Sequence, residues 1–119
     1  MKVTITKFED CKPYKAPGHD DTVHTMHLQH KTMGCEAPYW VGCSYYLPGA
    51  TAHLKPSPLD KIYIVLDGEL VVEYGDKEFV TLGKGDSIWI GQNETRGVVN
   101  ESNAVATMLV VMPYPPSKP

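Results

Sequence analysis

Residues 48–100, PGATAHLKPSPLDKIYIVLDGELVVEYGDKEFVTLGKGDSIWIGQNETRGVVN, decide the fold. Lys61–Leu66, Glu69–Tyr74, Glu78–Leu82, Ser87–Ile90 and Thr95–Asn100 are short, rich in β-branched and aromatic residues, and follow a period of two. That is the signature of strands whose side chains alternate between two faces. Turn signals separate them: Pro48-Gly49, Asp67-Gly68, Gly75-Asp76, Gly83–Asp86 and Gly91–Asn93. Asp67-Gly68 suits a two-residue type I′ hairpin, whose twist matches its flanking strands. Such a hairpin pairs Leu66 with Glu69, Val65 with Leu70 and Tyr63 with Val72. It sets Lys61, Tyr63, Val65, Leu70, Val72 and Tyr74 on one face. Ile62, Ile64, Leu66 and Val71 make the other face apolar too, so both sides are expected to be covered, one by a barrel interior, the other by a second sheet or a partner subunit.

The same period extends outward through Val3–Phe8, Val23–Lys31, Tyr39–Leu47 and Val105–Met112, and no long stretch has helical spacing with caps. Many short strands with frequent turns predict an all-β sandwich or barrel. Cys11–Asp21, with two prolines and a glycine, reads as an irregular loop, and the four-proline segment Pro113–Pro119 as an extended tail. A chain of 119 residues supports one core, so residues 1–119 are read as a single domain.

Composition narrows the function. With 42% hydrophobic and 21% charged residues the chain reads as a soluble globular protein, and a net charge of -3 speaks against a nucleic-acid partner. No apolar run reaches the roughly 18 residues that a bilayer requires, so no membrane partner is expected. The opening MKVTITKFED alternates and lacks the apolar block of a signal peptide, which makes the cytoplasm the expected compartment. Cys11, Cys35 and Cys43 are odd in number and lack CxxC spacing, so they read as apolar fillers or surface thiols, with a nucleophilic cysteine as the alternative.

Within residues 48–100, Gly49 is followed after five residues by Lys55, then after one by Ser57, after three by Lys61 and after six by Gly68. Gly85 is followed after five residues by Gly91-Gln92-Asn93, then after two by Arg96 and after three by Asn100. These intervals match, without a gap, the two motifs G-x5-H-x-H-x3-E-x6-G and G-x5-P-x-G-x2-H-x3-N, so the chain resembles the cupin superfamily. The resemblance implies a jelly-roll β-barrel with an internal pocket, and a homodimer.

The motif positions that hold a transition metal in typical cupins are two His, a Glu and a later His; here they are Lys55, Ser57, Lys61 and Arg96. Protonated lysine and arginine have no lone pair to donate, so no metal cofactor is expected at the usual position. Three cations in one pocket need partners. Either nearby carboxylates (Asp60, Glu69, Glu73, Glu94) supply them, or a small anionic molecule does, with Arg96 as a fork and Lys55 and Lys61 as point charges. Crowded lysines lose protons readily, so Lys55 or Lys61 is a candidate base or Schiff-base amine. Tyr63 shares its face, and His53, two residues before Lys55 on an extended run, is expected to face inward; both are candidate proton carriers.

The segment VHTMHLQHK (residues 23–31) adds His24, His27 and His30. On an extended strand His24 and His30 share a face with Met26 and Leu28, and His27 points the other way. If the apolar face is inward, His24 and His30 enter the pocket, as substrate-binding groups or, with His53, as a displaced transition-metal site. Trp40, among the aromatics Tyr39, Tyr45 and Tyr46, is a candidate pocket wall or core residue. The function expected is a metal-independent lyase, isomerase or epimerase. Its candidate catalytic residues are His53, Tyr63 and Lys61, with substrate held by Lys55, Ser57, Arg96, Trp40, His24 and His30. A non-catalytic carboxylate or phosphate sensor is the alternative, and a metal-dependent cupin with the displaced site is a third reading.

Overall fold

The computed structural model describes residues 2–16 and 21–116. Ten strands are formed: β1 (Lys12–Tyr14), β2 (Val23–Gln29), β3 (Tyr39–Tyr46), β4 (Thr51–Pro56), β5 (Lys61–Asp67), β6 (Leu70–Tyr74), β7 (Glu78–Leu82), β8 (Ser87–Ile90), β9 (Thr95–Val99) and β10 (Ala106–Pro113). They make two antiparallel sheets, one in the order β1-β2-β3-β10-β5-β8 and the other in the order β4-β9-β6-β7. Among the described residues the helical pieces are two 3-10 turns, Phe8–Asp10 and Lys31–Met33, and no helix is long and apolar enough to cross a membrane. The result is the all-β jelly roll expected from the sequence.

The period of two sets the core. Tyr46, Val65 and Met108 come from the larger sheet, Leu70, Val72 and Val98 from the smaller, and each is no more than 1% exposed. Side chains of this size contribute about 1.5–3 kcal/mol each when fully buried. Neither sheet alone covers its apolar face, so the two are held together by these residues.

Asp67-Gly68 is not a hairpin loop, which corrects the expected pairing. β5 pairs with β10 and β8, whereas β6 pairs with β9 and β7. A type I′ turn needs positive φ at both central residues, and here only Gly68 has it, at 75°. The turn carries the chain from one sheet to the other. Strands apolar on both faces gain by this, because Tyr63 and Val65 then face Leu70 and Val72 across the core rather than lying beside them. The inward set is therefore as expected although the pairing is not: Lys61, Tyr63, Val65, Leu70 and Val72 are all buried, and Tyr74 is half-buried. Gly68 is also fixed by a close approach, since a Cβ there would lie 2.8 Å from the Val105 carbonyl oxygen and 2.9 Å from the Ala106 Cα.

Asn100 closes one end of the sandwich with no exposed surface. Its Nδ2 donates to the carbonyls of Tyr46 and Ala104, both at 2.8 Å, and its Oδ1 accepts from the Ser102 backbone N–H at 2.9 Å and from its hydroxyl at 2.7 Å. All the hydrogen-bonding capacity of the amide is used.

Three further expectations change. The Cys11–Asp21 loop contains β1, which pairs Lys12 with His27, Pro13 with Met26 and Tyr14 with Thr25; Pro13 is tolerated because β1 is an edge strand. The alternating N-terminal run forms no strand, and Val3 and Ile5 are 64% and 80% exposed. It is held instead by side chains: Thr4 Oγ1 donates to the Gly34 carbonyl and Gln29 Nε2 to the Thr4 carbonyl. The expected strand through Lys31 stops at Gln29, and the Lys31–Met33 turn follows after His30. The last three residues of the proline-rich tail lie outside the described residues.

Candidate functional site

A cavity of about 460 Å³ opens between the sheets. β5 places Lys61 and Tyr63 in its wall, β4 and β9 place Lys55 and Arg96 there as a cross-strand pair, β3 supplies Trp40, Ser44 and Tyr46, and β1 supplies Tyr14. Lys61 and Tyr63 are 3% exposed and Arg96 9%. Ser57 lies at the edge, its hydroxyl engaged with the backbone N–H and carbonyl of Leu59. Thus Lys55, Ser57, Lys61, Tyr63, Arg96 and Trp40 are gathered around one space.

Among the described residues no carboxylate forms an ion pair with these cations. Among the described residues the cavity wall contains no Asp or Glu, and the sole ion pair is the exposed Lys15–Asp21 at 3.8 Å. Asp60, next to Lys61 in sequence, accepts from the Trp89 indole N–H at 3.0 Å. Burial, with the Arg96 and Lys55 charges adding to it and the Asp60 charge opposing it, pushes the Lys61 ammonium down to about 8. Arg96 donates from Nη1 to the His53 carbonyl at 3.3 Å, and its buried Nε has no hydrogen-bond partner among the described residues.

The phenols around these cations are held protonated. Burial pushes Tyr14 up to about 12, with Tyr63 adding to it. Burial also raises Tyr46 and Tyr63, against the pull of Arg96. Near neutral pH the cavity therefore presents hydroxyl, guanidinium and amine donors. That chemistry suits a ligand rich in acceptors, above all an anion.

The same donor set does not fit a metal. Three of the four positions that would ligate one carry amine or guanidinium groups, two of them buried together, and the fourth carries a hydroxyl engaged with Leu59. The displaced histidine site is not assembled either. His24 and His53 are exposed, His30 is half-buried outside the cavity wall, and among the described residues no three His, Cys, Asp or Glu side chains are placed to hold a metal ion.

Two β-bulges explain these corrections. The β4–β9 register moves from Ala52↔Val98 to Lys55↔Arg96, so two residues, His53 and Leu54, stand opposite Gly97. Ala52 and Lys55 both turn inward and His53 is left outside; counting back in twos from Lys55 fails because of the extra residue. Gly97 accommodates the bulge, since a Cβ there would lie 3.3 Å from the Leu54 backbone. In β2 the inward residues are Val23 and Thr25, so His24 faces solvent and the assumption that its apolar neighbours mark the inner face is overturned. A second bulge, between His27↔Gly42 and Gln29↔Val41, then brings His30 round to His27.

His27 and His30 stack with ring centroids 3.9 Å apart, and Tyr14 stacks on the other side of His27 at 4.1 Å. Trp40 stands edge-on to all three rings at 5.1–5.9 Å. Burial, helped by His30, lowers His27 to about 4, and burial with Lys31 nearby lowers His30. This neutral stack backs the Trp40 part of the cavity wall. Sequence reasoning missed Tyr14 because it sat in an apparent loop, and missed His27 because the face of β2 was chosen by hydrophobicity. The burial of Thr25 is what sets that face, and nothing in the residue types announced it.

A jelly roll of two antiparallel sheets around an internal cavity, with Gly49, Gly68, Gly85 and Asn100 at the framework positions, defines a cupin. The model of the family described as Cupin domain matches residues 44–112, and the chain belongs to this family. It is 39% identical over 111 residues to a Mycobacterium tuberculosis protein named beta-D-galactosidase Rv1717, an alignment spanning 93% of this chain and 94% of that one. Among solved structures, the polyketide cyclase RemF from Streptomyces resistomycificus is similar with a TM-score of 0.81 and 19% identity, over 93% of this chain and 79% of that one. A predicted oxalate decarboxylase from Thermotoga maritima is similar with a TM-score of 0.78 and 20% identity, over 94% and 100%. These last two likenesses concern the fold.

Proposed function

We propose that this cupin binds a small anionic molecule in its cavity and acts on it by proton transfer, as a lyase, isomerase or epimerase, with no metal at the usual cupin position. The observation that supports this reading most is the burial of Lys61 and Arg96 in one cavity with no carboxylate paired to either among the described residues. Unpaired buried cations are costly, and an anionic ligand offsets that cost. Arg96 holds the anion. Lys61, held down to about 8, has a substantial neutral fraction near physiological pH and takes a proton from the carbon next to the anionic or carbonyl group. Tyr63, held protonated, returns one to the resulting enolate, and the proton taken up by Lys61 passes back to the phenolate. Proton exchange between ligand and D2O, followed by NMR over a panel of hydroxylated carboxylic acids, tests this. Exchange lost in Lys61→Met and Tyr63→Phe is expected. Tight binding without exchange would favour the sensor, and no binding at all would overturn the reading.

Galactoside hydrolysis is the second reading, favoured by the relative named beta-D-galactosidase. Glycosidases mostly use two carboxylates, and the described cavity wall has none. Hydrolysis here would need Tyr63 as nucleophile with Lys61 as its base. Release of p-nitrophenol from its β-D-galactoside, abolished in Tyr63→Phe, would establish this reading in place of the first.

The homodimer is also a proposal. Exposed apolar side chains on the outer sheet faces, with Trp89 at 65% and Phe79 at 62%, support it, and sedimentation equilibrium tests it.

A further inference from the structure

The cavity wall combines charged donors with aromatic and apolar side chains, and the combination narrows the ligand. Arg96 is nine-tenths buried. Its Nη1 is occupied by the His53 carbonyl, while its Nε is buried with no partner among the described residues. The Nε side of a guanidinium presents two parallel N–H groups, a spacing that matches the two oxygens of a planar carboxylate. Tyr63 adds a third donor. Its hydroxyl, held protonated by burial, lines the same cavity.

Lys55, Lys61 and Arg96 line the same cavity and make it cationic, which suits an anionic group. Trp40, Tyr14, Met108 and Met112 are also in the wall and supply an apolar and aromatic surface that suits a ring. A cavity of about 460 Å³ is in the range that encloses small ligands.

We infer that the ligand is a ring-bearing monocarboxylate, its carboxylate held side-on by Arg96 and Tyr63 and its ring lying against Trp40 and Tyr14. The inference rests on the anion-binding reading of the same cavity and adds the class of anion and its orientation.

Isothermal titration calorimetry on chelator-stripped, untagged protein tests it, with cyclohexanecarboxylate, benzoate, acetate and inorganic phosphate as probes. Cyclohexanecarboxylate or benzoate should bind at least about tenfold more tightly than acetate or phosphate, the scale of burying about two CH2 groups of the ring. Arg96→Lys, which keeps the charge and loses the parallel N–H pair, should weaken the ring carboxylates by a similar factor. Tyr63→Phe should weaken them also, and serves where Arg96→Lys fails to fold. Phosphate binding as tightly as the ring carboxylates, or full affinity in Tyr63→Phe and Arg96→Lys, would overturn the inference and leave the anion reading standing. Heat from none of the four probes would overturn both.

Discussion

Lys61 and Arg96 enter one cavity from opposite sheets, Lys61 on β5 of the larger and Arg96 on β9 of the smaller, and the Arg96 charge adds to the cost of charging Lys61. A packed core would not choose this arrangement. Replacing Lys61 with methionine should stabilise the free protein by about 1–2 kcal/mol near pH 7, because it removes an unpaired buried amine and keeps the volume. Urea unfolding measures this, and destabilisation by a similar amount would mean that Lys61 has a structural partner.

The same pair sets a pH dependence. Lys61 is pushed from 10.5 down to about 8 in the folded protein, so between these values the unfolded chain holds the extra proton and stability rises with pH. Melting temperatures from pH 8 to pH 9.5 should rise in the wild type relative to Lys61→Met. Arg96→Met should lift the Lys61 pKa part of the way back, since burial remains the larger cause. Lysine side-chain NMR titration reads the value directly.

His27 responds in the opposite range. Its pKa falls from 6.5 to about 4 on folding, so stability is complete above pH 6.5 and is lost as pH drops toward 4. His30 is shifted in the same direction and adds to the effect. His27→Phe keeps a ring between Tyr14 and His30 without titrating, and should flatten the melting profile between pH 6.5 and 4.5. An unchanged profile would place the acid sensitivity elsewhere.

Asn100 and Gly68 are the structural counterparts. Asn100→Ala removes the four hydrogen bonds that the buried amide makes with Tyr46, Ser102 and Ala104 and should cost about 3 kcal/mol. Gly68→Ala combines a positive φ with backbone atoms under 3.0 Å from the new Cβ, and should cost about 2 kcal/mol or more. Gly75→Ala, with positive φ and nothing within 4 Å, should cost less, about 1 kcal/mol. Denaturant midpoints rank the three.

The sequence made the motif positions legible because their spacing is an interval count. Lys55, Lys61 and Arg96 were expected to share a pocket, and they line one. It also made the inward set of β5 and β6 legible, because alternation survives whichever strand each one pairs with. Wherever a face was inferred by counting through an irregularity, the inference failed. His53 lies beyond the Ala52/Lys55 bulge and His30 beyond the His27/Gln29 bulge, and one inserted residue reverses every face that follows. Asp67-Gly68 has the composition of a hairpin turn, and local chemistry does not tell a turn within a sheet from one between sheets. β1 was hidden because its three residues include Pro13 and gain their strand character from β2 alone.

The melting temperature of chelator-stripped, untagged protein, compared with saturating cyclohexanecarboxylate and with Mn, Fe, Ni and Zn ions in turn, tests most directly whether an anion takes the place of the metal. Stabilisation by the carboxylate, lost in Arg96→Met, with none of the metals raising the transition, is the expected result. Stabilisation by one metal at one ion per chain, with no response to the carboxylate, would contradict it.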